Sequence, residues 1–390
     1  PKVMVSMNIS PFSLKNKDQL FSDDNLNVTI EAQADIKQNS YTVSNFSFSS
    51  LPVGLKVAGS LQPENNDQLV SAKGTSKLDL VALSKQLRSY AGLELEMTGV
   101  SEKPFTLTST TSNGQWVDTP KHTEFSTSIH ADTIVGYGLN IETLDLPIQL
   151  HNSVAEADFK AQVNKGTMTV KPTIDFSGKF PVASLPANST ILQEVGLTGD
   201  MSEDLLAKIH PLFKGVATTA GTVSLNMVHF NWPLGEEQQK DVTFESSFTF
   251  NDVKLQAGSL LSPLLGIMKV EDDTIMLSET PMTCVGENER ITCSPLVATV
   301  NEHSLILEGS VGFDQSLNYV AKIPVTSKMV SSKIYKYLEG TSITVPITGT
   351  VSKPSVSKSF IQKALSDLVL QAGQKQLSDQ AGKLLQNLFK

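Results

Sequence analysis

Apolar residues occupy every second position through most of this chain, and that spacing is what a half-buried β-strand requires. Leu26, Val28, Ile30, Ala32, Ala34 and Ile36 alternate with polar residues, as do Val53, Leu55, Val57 and Leu61. The pattern returns at Leu144, Leu146, Ile148 and Leu150, at Ala155, Ala157, Phe159, Ala161 and Val163, and at Val242, Phe244, Phe248 and Phe250. Near the end, Leu305, Leu307, Val311 and Phe313 lead through Asp314-Gln315 to Leu317, Tyr319, Ala321 and Ile323. Neighbouring side chains on a strand point to opposite faces, so each run has one apolar and one wet face. The expected fold is mainly β: an extended, curved antiparallel sheet forming an open groove or half-pipe, followed by a C-terminal amphipathic helical segment.

Helical spacing is sparse. Ser76–Tyr90 carries Leu80, Leu83 and Leu87 on one side, and Ser202–Phe213 carries Leu205, Leu206, Ile209 and Leu212. The C-terminus is the long exception. Pro354 is expected to end the last strand, and Ser357 or Ser359 to cap a helix with Ile361, Leu365, Leu368 and Ala372 on one stripe. Leu377, Ala381, Leu384 and Leu388 repeat that spacing, with Gly373 and Gly382 as potential breaks. The reading is therefore residues 1–356 as an elongated β-groove body, with a sub-boundary near 215–240, and 357–390 as the amphipathic segment. Faint repeats, such as Asn45–Leu61, Leu139–Leu150 and His303–Val325, favour stacked sheet over a small closed barrel.

The 390 residues exceed one ordinary core, so either several domains or a repeated architecture is needed. The net charge of −9 excludes a general nucleic-acid binder, which needs a basic face. From Ser352 to Lys390 six lysines stand against two aspartates, a local charge of +4 that leaves −13 on the rest. The longest apolar stretch, Leu260–Val270, contains Ser262, Pro263 and Lys269 and is too short to span a bilayer.

The two cysteines are Cys284 and Cys293. A two-residue turn at Asn288-Glu289 would place them directly opposite one another, close enough for a disulfide and indicative of an oxidising compartment. The alternative is two reduced, half-buried thiols. They have no histidine neighbours and make no zinc site.

No catalytic motif is present: no G-x-S-x-G, no phosphate-binding glycine loop, no H-E-x-x-H. His122, His130, His151, His210, His229 and His303 are scattered, without metal-ligand spacing, so neither a metal nor a cofactor is expected. What remains is the apolar strand face. It reads either as a closed sandwich core in a structural or interaction module, or as an open trough for acyl chains. Carrying a diacyl lipid through water exposes roughly thirty methylenes at about 0.8 kcal/mol each, so a trough has much to offer without any reactive group. A secreted hydrolase with an unrecognised site is a third reading.

The segment "LILEGSVGFDQSLNYVAKIPV" (Leu305–Val325), then "ITVPITGTVSKP" (Ile343–Pro354), then a Lys/Leu/Gln-rich helix, resembles the C-terminal region of AsmA-like proteins. The matching residues are Gly309, Asp314, Leu317, Val345, Pro346, Ile347, Gly349, Thr350 and Pro354, with Thr218–Leu234 resembling an upstream strand pair. The resemblance implies a groove-shaped periplasmic body and a role in phospholipid movement between membranes or in envelope homeostasis. Its partners would be a phospholipid or other acyl lipid and a membrane surface or envelope protein, with no nucleic acid. It also implies an inner-membrane-anchored parent, of which this sequence, opening at Pro1, would be a fragment. On this reading Val28, Ile30, Val57, Leu146, Ile148, Phe159, Phe248, Phe250, Leu307 and Tyr319 line the groove. Ile361, Leu365, Leu368, Leu384, Leu385 and Leu388 form the stripe that caps the body or meets a membrane.

Overall fold

A computed structural model describes residues 1–10, 12–16, 19–23, 26–117 and 119–388. With 57% strand and 18% helix, the chain is mainly β, and its ladders are antiparallel. It packs as two units, one comprising residues 1–195 and 227–243, the other 196–226 and 244–390. One crossing, at 226/227, falls in the range read from the sequence; the C-terminal helix belongs to the second unit.

In the first unit Lys2–Ile9 pairs with Leu26–Asp35, which pairs with Ser40–Ser49, then Val53–Glu64, then Asp67–Asp79. The order continues through Val100–Thr110, Thr123–Ala131, Leu144–His151, Val154–Ala157, Thr173–Asp175 and Val182–Ser184 to the end of Ala217–Pro233. Turn chemistry makes the meander possible. Asn152-Ser153 (φ 50° and 70°) and Asn164-Lys165 (46° and 69°) hold two successive left-handed residues, the tight hairpin geometry that asparagine tolerates best.

Helix α1 (Leu80–Ala91) starts later than its sequence pattern, because Ser76–Asp79 complete a strand. The Asp79 carboxylate caps it by accepting from the Ala82 N–H at 3.0 Å, and left-handed Gly92 ends it.

In the second unit Thr243–Gln256 pairs with Met282–Glu287, and the ladder runs through Arg290–Val300, His303–Gly312, Leu317–Pro324 and Ser342–Thr350 to Lys353–Val356. Pro354 lies inside that final edge strand rather than ending the sheet; an edge position costs no ladder bond. The pattern at 202–213 does not make one helix. It yields α2 (Gly199–Asp204) and two short 3-10 turns, Leu206–Lys208 and Pro211–Phe213, because His210 is extended and Pro211 lacks an N–H. Helices α3 (Leu261–Met268) and α4 (Ser332–Leu338) arise where the sequence reading placed none. The terminal helix α5 (Lys358–Leu388) runs unbroken through Gly373, whose missing side chain faces open space.

The second unit has a closed core. Leu255, Ala298, Leu305, Leu307, Ala321, Ile323, Val345 and Ile347 are fully buried on the sheet, and Leu206, Leu212, Phe213, Leu261, Leu264 and Met268 are buried on the covering segments. The Phe213 and Phe250 rings meet at 5.5 Å, and the Thr326 hydroxyl donates to the Met268 carbonyl at 2.9 Å.

Candidate functional site

The first unit presents one apolar face that is not sealed. Strand register fixes its members, because directly opposed residues share a face. Val5 stands opposite Ile30, Ile30 opposite Phe46, and Phe46 opposite Val57. Val57 faces Gly74, Gly74 faces Phe105, and the adjacent row runs Gly59, Ala72, Leu107, Phe125, Leu150 and Ala155. Ile174, Ala183 and Trp232 continue the line. The ladder with Val100–Thr110 stops at Ser126, and beyond it the same face continues where Thr127 meets Ile148 and Ile129 meets Leu146.

Burial confirms the two faces. Phe105, Leu107, Phe125, Leu146, Ile148 and Leu150 are half-buried, while the alternate residues Glu102, Thr106, Thr108, Asp145 and Gln149 are exposed. The apolar face is therefore neither wet like its reverse nor sealed like a core. A depression of about 480 Å³ centres on the row Val43, Gly59, Ala72 and Leu107 and is lined as well by the alternate residues Ala58, Ser60, Ser71, Lys73, Thr106 and Thr108. Ala58, Gly59, Ser60, Ser71 and Ala72 keep the side chains around it small. A Cβ on Gly74 would stand 2.9 Å from the Phe105 ring and 2.2 Å from the Lys56 carbonyl.

The strand ends close over. At one end Ser109 and Thr123 are buried and joined hydroxyl to hydroxyl at 2.7 Å, with the Thr123 hydroxyl also near the Thr119 carbonyl at 2.7 Å. At the other, Leu80, Ser101, Ala131 and Leu144 are buried, and the Ser101 hydroxyl accepts from the His130 N–H at 2.9 Å. These polar groups are satisfied, so the face offers hydrocarbon contact without an orphaned donor.

Of the ten groove residues read from the sequence, Val28, Ile30, Val57, Leu146 and Ile148 fall on this face, half-buried. Phe159 is half-buried opposite Val170 in a neighbouring ladder. The other four require correction. Phe248, Phe250, Leu307 and Tyr319 are 4%, 0%, 0% and 1% exposed and pack inside the closed core of the second unit, where they line no open surface. The reason is the covering layer of 3-10 turns and α3. Sequence reasoning missed Phe46, Phe48, Phe105, Leu107 and Phe125; their runs alternate correctly but are diluted by Ser and Thr.

Of the helical stripe, Ile361 is buried and Leu365 and Leu368 are half-buried, with α5 packed against Ser342–Thr350 and α4. Leu370 and Leu377 point outward. Leu384, Leu385 and Leu388 lie outside the residues whose side chains are described.

The cysteines are bonded: Cys284 and Cys293 form a disulfide with a Cα–Cα distance of 4.2 Å. The turn between them is Asn288-Glu289, left-handed at φ 51° and 58°.

Among the described residues, titratable groups do not converge on a reactive centre. His130 is held by carboxylates at both ring nitrogens, Asp145 at 2.8 Å and Asp132 at 3.4 Å, so it presents no free base to nearby Ser101. The strongly displaced groups are in the core of the second unit. Burial pushes His210 down to about 3 and pushes the Tyr319 phenol up. Among the described residues no cluster of His, Cys, Asp or Glu suits a metal ion. Comparison with known proteins found no matching family model, no matching curated protein and no matching solved structure.

Proposed function

We propose that the apolar face of the first unit binds the acyl chains of a phospholipid or similar lipid, and that the chain serves lipid movement between membranes in the manner of AsmA-like proteins. The observation that carries this reading is the face itself. One parity carries Ile30, Phe46, Val57, Phe105, Phe125 and Leu146, all only half-buried, and along Val100–Thr110 and Leu144–His151 the other parity (Thr106, Thr108, Asp145 and Gln149) is polar and exposed. Soluble proteins rarely leave so extended an apolar surface without a ligand or partner. The buried disulfide supports an extracytoplasmic, periplasmic setting. No helix among the described residues is long and apolar enough to cross a membrane. The second unit, with its closed core, fits the alternative of a non-transporting structural module and supplies no trough of its own.

Native mass spectrometry of the purified chain tests the proposal directly. Lipid adducts are expected on the wild type and absent from Val57→Asp, because an unpaired charge on an apolar floor costs several kcal/mol. Ser126→Asp, on the exposed reverse face, should keep them. A lipid-free wild type, or equal adducts on all three, would sink the reading.

A further inference from the structure

Strand register brings the connections 36–39, 65–66, 111–117, 152–153 and 176–181, and the residues after Pro233, to one rim of the first unit's sheet. Among the described residues, the exposed aromatic side chains of this unit are Tyr41, Trp116, Phe180 and Trp232, at 44%, 49%, 37% and 40%. All four stand at that rim, and they include both tryptophans of the chain. Val117 and Leu234 beside them are exposed as well. The opposite rim exposes aliphatic side chains instead, Leu51, Leu93 and Val100.

Hydrogen bonds hold these side chains in place. The Asp67 carboxylate accepts from the Thr111 hydroxyl and the Gly114 N–H, each at 2.9 Å. Ser112 and Gln115 exchange backbone bonds at 2.9 and 3.1 Å, which fixes the turn before Trp116. The Leu234 N–H donates to the Pro181 carbonyl at 2.7 Å and ties the Phe180 connection to the strand that carries Trp232. Two of the four aromatic residues also belong to the apolar face: Trp232 stands opposite Ala183, and Tyr41 opposite Leu61. The aromatic rim is thus continuous with the half-buried surface.

Tryptophan and tyrosine combine a large apolar ring with one polar atom, and that combination favours the boundary between lipid headgroups and hydrocarbon. Charge does not set this rim apart: Lys37 and Lys179 are offset by Glu64 and Asp67 on the same side, so it is no basic patch. We propose that the rim seats on the surface of a lipid bilayer with its aromatic side chains at headgroup level. The apolar face then opens onto the membrane along its strand ends, and a lipid passes sideways over an edge that is already apolar. The inference rests on the lipid-binding reading for what the contact serves, while the contact itself is read out separately.

Tryptophan emission tests the contact. Trp116 lies on a loop outside the rows of the apolar face, so it reports the rim and not a lipid held in the trough. In Trp232→Phe it is the sole tryptophan. Mixed with phosphatidylcholine vesicles whose acyl chains are brominated, this variant should shift its emission to the blue and be quenched, equally at low and high salt, because no net charge drives the contact. Tyr41→Ser with Phe180→Ser in that background should raise the lipid concentration at half-quenching ~tenfold. Leu51→Ser, at the opposite rim, should leave it unchanged. An unquenched Trp116, quenching that salt abolishes, or an equal effect of the two rims overturns the proposal, even where native mass spectrometry finds lipid adducts. A quenched Trp116 on a chain without adducts keeps the rim and sinks the trough. Should the double serine variant fail to fold by circular dichroism, Trp116 quenching and its salt response still decide.

Discussion

His210 should make the second unit acid-sensitive. The side chain is fully buried, and its Nδ1 accepts from the Leu212 N–H at 3.2 Å, capping the Pro211–Phe213 turn. The proton of the neutral ring therefore sits on Nε2, which is buried without a hydrogen-bond partner. The Tyr319 ring lies at 4.8 Å and the Phe213 ring at 6.2 Å, both edge-on. Nothing there welcomes an imidazolium. Burial takes the group from 6.5 to about 3 on folding. Because the folded value is the lower one, the stabilisation is fully present above pH 6.5 and is lost as pH falls from there toward 3. Over the whole window the loss approaches about 5 kcal/mol, and between pH 7.5 and pH 5 it is about 2 kcal/mol. His210→Asn is the informative change, since an asparagine oxygen can cap the same turn and does not titrate. Urea unfolding would be followed by hydrogen exchange of peptides within residues 244–326 at both pH values, for wild type and variant. Carboxylates held low by hydrogen bonds, such as Glu203 with Lys214 or Asp314 with Ser316, cancel in that difference. The wild type should lose about 2 kcal/mol more than the variant on acidification. Equal losses would refute the argument, because His210 would then be relieved by a route that burial does not show.

Two further outcomes follow from the second unit. Replacing Cys284 and Cys293 together with alanine removes a cross-link of sequence separation 9, and denaturant unfolding should show a loss of about 2–3 kcal/mol. Gly309→Ala should cost more than a surface glycine change. Gly309 has φ 154°, and a Cβ there would stand 2.3 Å from the Asn318 carbonyl and 2.5 Å from the Tyr319 Cα. A thermal shift downward by several degrees is expected, and an unchanged melting temperature would contradict the crowding.

Period two made the fold legible, because one residue of slip would exchange every inner and outer side chain. The Asn288-Glu289 turn was legible for a similar reason: two residues between two runs leave one register, and that register opposes the cysteines. Face parity, however, does not say what lies above the face. Val57 and Leu307 have the same pattern, yet one is half-buried and the other fully buried. The difference is made by segments distant in sequence. Leu206, Leu212 and Phe213 come from short turns that look like one amphipathic helix, and Leu261, Leu264, Leu265 and Met268 come from an apolar stretch first weighed as a membrane segment. All seven are buried, more than a single solvent-facing stripe would allow, and an element that is apolar on several sides must be covered on several sides. That is the signal that could have assigned Phe248, Phe250, Leu307 and Tyr319 to a core. Among the described residues of the first unit no such element seals Val57, Gly74 and Phe105, which stay half-buried. The same strand pattern thus becomes a core where a second apolar layer is supplied, and stays a half-buried apolar face where the described residues supply none.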